Sequence, residues 1–203
     1  PAALVKTLPD CGVRRRPWRR DELAALFSTA EGQWLTVMNL ALYTGQRLTD
    51  CTRVRWEDAD LGRGTLLVVQ GKTGKVLLLP LARPLWTHLR KVRSRRVWVT
   101  PRLRRLTTGS GNGLSEQFKE IMDCAGIERQ VIRRGRHRVY DVSFHSFRHT
   151  FDSMLANRGV SREVRERLGI AEGRTHQVYE HLETDYLRDA VNLLPQVSPS
   201  SQT

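Results

Sequence analysis

Five polar side chains between residues 47 and 179 are of the types that chemistry at a phosphate diester uses. They are Arg47 in Thr44-Gly45-Gln46-Arg47-Leu48-Thr49-Asp50, Lys72 in Gln70-Gly71-Lys72-Thr73-Gly74-Lys75, His145 and Arg148 in His145-Ser146-Phe147-Arg148-His149, and Tyr179 in Tyr179-Glu180-His181. Guanidinium groups stay charged and donate paired hydrogen bonds to phosphate oxygens. Ammonium and imidazole groups move protons. A phenol, with a reference pKa of about 10, becomes a nucleophile when its proton is taken during attack. Singly, each residue has an ordinary explanation. Arg47 reads as a solvated helix arginine, Lys72 as a turn residue, and His145 and Arg148 as a helix cap and a surface charge. Tyr179 competes with Tyr43, Tyr140 and Tyr186. The signal is their order along the chain.

In that order the sequence resembles the tyrosine recombinase (phage integrase) family, over nearly the whole chain from about Trp18 to Leu194. Members carry T-G-x-R-x-x-E/D at a helix start, G-K-T-G-K or a close relative in a β-turn, H-x-x-R-H-T, and L-G followed ten residues after the Gly by a tyrosine. Here Asp50 fills the acidic position, and Leu168-Gly169 leads to Tyr179 at that interval.

The resemblance implies a mechanism. Tyr179 would attack a DNA phosphate and store the bond energy as a 3′-phosphotyrosine, with no metal or nucleotide cofactor. Arg47 and Arg148 would hold the non-bridging oxygens, where negative charge accumulates. Lys72 would protonate the leaving 5′ oxygen, with Lys75 as its near rival, and His145 would assist proton transfer at the nucleophile. One position departs from the pattern. After Leu168-Gly169 the family usually has a His or Trp that donates a hydrogen bond, whereas this chain has Ile170, and His176 is the nearest substitute donor.

The elements that must position these groups read as mainly helical with a small antiparallel β-sheet, an α+β arrangement; the resemblance implies the recombinase catalytic-domain fold. Leu23, Leu26, Phe27 and Ala30 share one helical face after Asp21, and Trp34, Val37, Met38 and Ala41 repeat the spacing in a helix that Gly45 stops. A short helix is expected near Leu48 to Val54. Runs Leu66 to Val69 and Val76 to Leu79 flank the glycine-containing turn and predict a hairpin. Leu85 to Arg95 reads as a helix, residues 97 to 113 as a mobile loop, and Phe118, Ile121, Met122 and Ala125 as an amphipathic helix closed by Gly126. Arg129 to Arg138 reads as short strand or loop. From Ser146 the chain turns helical until Gly159, Ser161 caps a short helix, and another is expected to carry Tyr179. A last helix, from Thr184 to about Leu193, presents Leu187, Ala190 and Leu194 either to a neighbouring protomer or back to its own domain.

Composition narrows the partners. Lys and Arg total 34 against 21 Asp and Glu, a formal net charge of +13, which favours a polyanion. There is no Walker-type glycine loop, no RNP-type aromatic motif and no apolar run long enough to span a bilayer. Cys11, Cys51 and Cys124 lack C-x-x-C spacing, so a reducing, cytoplasmic setting is expected. The domain reading is an arm or linker over 1–17, a catalytic domain over 18–195 and a disordered tail over 196–203. The resemblance adds an amino-terminal core-binding domain outside this sequence, double-stranded DNA as partner, and a homotetramer on DNA built from domains that are monomeric in isolation. The expected function is site-specific DNA integration or excision. The alternatives are a catalytically impaired DNA-binding relative and a type IB topoisomerase-like relaxase.

Overall fold

The computed structural model describes residues 15–107, 113–133, 138–169 and 182–197. Its centre is helix α2 (Gly32–Thr44), which follows α1 (Arg20–Thr29). Every residue of α2 from Thr36 to Thr44 is buried, as expected of a helix whose sequence is apolar on nearly all sides. Helix α7 (Ser146–Ala156) packs against it. An aromatic cluster of Trp18, Phe27, Trp34, Phe118, Phe144 and Phe147, with contacting ring centroids 5.1 to 6.4 Å apart, joins these helices to α6 (Gly113–Cys124).

After α3 (Leu48–Thr52) and a 3₁₀ turn at Trp56–Asp58, strands β1 (Ala59–Asp60), β2 (Thr65–Val69) and β3 (Val76–Pro80) form an antiparallel sheet in that order. Val69 pairs with Val76 and Leu66 with Leu79, so the hairpin closes on residues 70–75. Alternation sends Leu66, Val68, Leu77 and Leu79 into the core and leaves Leu67, Val69, Val76 and Leu78 outside. Two-residue β1 is too short to show a period and was not foreseen. Helix α4 (Arg83–Val92) follows, and a second ladder pairs β4 (Val131–Arg133) with β5 (Val139–Tyr140). Helices α8 (Arg162–Arg167) and α9 (Leu182–Asn192) complete the described chain.

The mainly helical architecture with a small antiparallel sheet is as expected; three local expectations change. The loop expected at 97–113 contains helix α5 (Pro101–Leu106), with Leu103 buried. Pro101 begins that helix rather than breaking it, because a first-turn proline gives up no intrahelical bond. The segment before it is also anchored, since Trp56 N donates to Val97 O at 3.0 Å and Val99 N to Val54 O at 3.0 Å. In the arm, Arg16 is fixed: its guanidinium donates to Glu22 at 2.7 Å and to Asp141 at 3.0 Å. In the tail, Val197 N donates to the Tyr43 hydroxyl at 3.2 Å, which itself donates to Pro195 O at 3.0 Å. Leu187, Ala190 and Leu194 are buried within the single chain, where α9 packs on β3. Within the single chain these residues make the fold-back contact. Among the described residues no helix is long and apolar enough to cross a membrane.

Candidate active site

Two glycines bring backbone close to Arg148. Helix α2 ends at Gly45 in the left-handed region (φ 65°), and a Cβ there would lie 2.6 Å from the Phe151 ring. Gly169 also has positive φ (81°), and a Cβ would strike the Leu77 side chain. The buried Arg148, in the first turn of α7, donates from Nη1 to Gly45 O at 2.8 Å and from Nη2 to Gly169 O at 2.5 Å. The two bonds fix the plane of the guanidinium fork.

Arg47 is the N-cap of α3, extended (φ −70°, ψ 155°), with its carbonyl accepting from Cys51 N at 2.9 Å. It is half-buried. His145 immediately precedes α7, with its ring edge-on to His149 at 5.0 Å between centroids. Burial, then the charges of His149, Arg15, Arg148 and Arg47, push the His145 pKa down to about 4. The imidazole is therefore neutral at neutral pH and able to accept a proton. That Arg47 and Arg148 both act on His145 places these three predicted residues in one electrostatic neighbourhood.

Lys72 lies at the exposed tip of the β2–β3 hairpin and Lys75 on its half-buried return. The turn is closed by Gln70 N donating to Lys75 O and Gly74 N to Gln70 O, both at 2.8 Å. The tip is tied to the arginine-bearing segment through Asp50 of α3, whose buried Oδ1 accepts from Gly71 N at 2.9 Å. Tyr179, Ile170 and His176 lie outside the described residues, so the expected nucleophile and the two positions in question beside it have no geometry here.

The structure also contains a buried amide pair that residue types alone did not reveal. Gln70 Nε2 donates to Gln46 Oε1 at 2.7 Å and to Gly169 O at 3.2 Å. Gln46 Nε2 donates to Thr44 O at 2.9 Å and Leu168 O at 3.4 Å. The sole hint in the sequence was position: each glutamine sits inside a motif, Gln46 beside Arg47 and Gln70 two before Lys72.

The Phage integrase family model matches residues 18–185. Tyrosine recombinase XerA of Pyrococcus furiosus is 30% identical over 158 residues, covering 75% of this chain and 51% of XerA. The integrase from mycobacterium phage Brujita superimposes with a TM-score of 0.62 at 22% identity, over 93% of this chain and 60% of that one. Lambda integrase, in a structure bound to DNA, does so with a TM-score of 0.56 at 21% identity, over 80% of this chain and 57% of that one. At these identities the two structures establish a shared fold. The chain spans about half the length of the curated relatives it matches. With the family's model matching residues 18–185, the chain belongs to the phage integrase family.

Proposed function

We propose that this chain is the catalytic unit of a site-specific DNA recombinase that cuts and rejoins strands through a covalent bond to Tyr179. The observation that supports this reading is that Arg148 bonds the carbonyls of Gly45, two residues before Arg47, and of Gly169, ten residues before Tyr179, while the charges of Arg148 and Arg47 both reach His145. The net charge of +13 supports DNA as the substrate, as does the solved complex of lambda integrase with DNA.

In the cleavage step the Tyr179 oxygen forms a bond to phosphorus as the bond from phosphorus to the 5′ oxygen breaks. The phenol proton passes to neutral His145, and Lys72 gives a proton to the departing oxygen. Arg47 and Arg148 hold the non-bridging oxygens as their charge grows. Religation runs these transfers backwards with the 5′ hydroxyl of another strand, so the ester bond is conserved and no external energy source is consumed. Exchange between two duplexes requires four cleavages, which four copies of the chain assembled on DNA supply.

The test is covalent capture. A library of duplexes with a randomised core and a nick in one strand is incubated with the full-length protein, and adducts that survive denaturing detergent are sequenced. The expected result is a defined site, an adduct on the peptide containing Tyr179, and none from Tyr179→Phe. Tight, selective DNA binding without any adduct would overturn the enzymatic reading.

A further inference from the structure

Lys72 sits on an exposed turn, yet a general acid works only within hydrogen-bond reach of the oxygen that leaves. Both of its neighbours are anchored. On one side Gly71 N donates to Asp50, and on the other the Thr73 hydroxyl donates to Gln70 Oε1 at 3.0 Å. The Gln70 amide therefore faces two ways. Its oxygen holds the turn, and its nitrogen bonds Gln46 and the Gly169 carbonyl, the same oxygen that Arg148 Nη2 contacts.

Gln46 and Gln70 are 2% and 3% exposed, so an unmade amide bond in this pair would leave a desolvated polar group. An apolar side chain at the end of a core strand would pack without that liability. Two interlocked amides instead fix distances and directions between three chain segments, which apolar contact does not do.

Resting on the reading of Lys72 as general acid, we infer that Gln70, braced by Gln46, is a positioning residue that holds the Lys72 turn in register with Arg148. It touches no reacting atom. Its contribution belongs to the protonation of the leaving oxygen.

The experiment uses the captured site in two forms, one natural and one with sulfur replacing the bridging 5′ oxygen at the scissile phosphate. A thiolate leaves without a proton, so this probe removes the need for a general acid. Lys72→Ala and Lys75→Ala set the benchmark, since the variant lacking the acid is the one the sulfur rescues. Gln70→Leu is expected to slow cleavage of the natural strand by at least about 10-fold, and the sulfur strand is expected to be cut within about threefold of the wild-type rate. Thr73→Val, on an exposed turn where folding is not at stake, is expected to show a smaller loss with the same rescue. Equal loss on both strands, or no loss on the natural one, overturns the inference, and Thr73→Val decides if Gln70→Leu does not fold. Absence of an adduct from wild-type protein would instead refute the recombinase reading beneath it.

Discussion

The Asp50 carboxylate accepts a hydrogen bond from Gly71 N at 2.9 Å, linking the helix that Arg47 caps to the turn that carries Lys72. Asp50 is 2% exposed, so its Oδ1 is removed from water and has this amide as partner instead. Truncation would leave Gly71 N without that partner and release the tip. Asp50→Ala is expected to destabilise the protein by about 1–3 kcal/mol in denaturant unfolding. It should also slow adduct formation more than Asp50→Asn, whose amide oxygen still accepts. An Asp50→Ala variant with wild-type cleavage would dissociate this contact from function.

His145 supplies a pH signature. Its folded-state pKa of about 4 lies below the unfolded value near 6.5, so between these limits the unfolded chain binds more protons. The stability contribution is complete above pH 6.5 and is lost as pH falls toward 4. His149 and His88 are also lowered, chiefly by burial, and act in the same direction. In DNA-free protein, His145 is expected to titrate near pH 4 by NMR, and His145→Gln should shallow the fall in Tm from pH 6.5 to 4 without abolishing it. A measured value at or above 6.5 would contradict the half-buried, cation-flanked placement.

Gly169 and Gly45 provide the two carbonyls that Arg148 grips, and both have positive φ. Alanine at either position incurs backbone strain of about 1–3 kcal/mol, in addition to the clash. At residue 45 the neighbour is the core ring of Phe151; at residue 169 it is Leu77, with Gln70 Nε2 at 2.9 Å. Both substitutions therefore press on a core side chain and are expected to lower Tm. Gly169→Ala also meets the Gln70 amide and is expected to slow cleavage at least about tenfold. Gly169→Ala with wild-type cleavage would sink this assignment.

What the sequence displayed and what it concealed follow from the range of the interactions. Helices α1, α2, α6 and α7 were readable because each has a periodic apolar face and several end at a glycine, which are local properties. Arg47, His145 and Arg148 stood out as candidates because their chemistry is specific and their spacing matches a family's. Gln70 did not, because a neutral amide carries no sign of its use until Gly169, 99 residues away, is folded against it. Helix α5 lay hidden in the stretch read as a loop, because a proline with threonines and glycines after it resembles loop sequence, whereas Pro101 starts a helix. Arg16 was lost because an arginine run beside Pro17 looks like linker, and one of its two acidic partners lies 125 residues distant.

Arg16 gives the last prediction. Glu22 and Asp141 are each 4% exposed, and both direct carboxylate oxygens at this one guanidinium. For Glu22, burial alone would raise the pKa, but the Arg16 hydrogen bond and charge, with the Arg19 amide, bring it below the ordinary carboxylate value. Removing the cation leaves two buried carboxylates without their shared partner, so Arg16→Ala is expected to cost about 3–5 kcal/mol, read as a lower urea midpoint. Arg16→Lys should restore only a fraction, because a single ammonium cannot span Glu22 bidentately and reach Asp141. The Glu22 contribution is present above the unfolded carboxylate pKa and is lost as pH falls through the depressed folded value. The deficit of Arg16→Ala relative to wild type should therefore shrink in acid. A deficit that grows as pH falls would show that Glu22 does not depend on Arg16 for its charge.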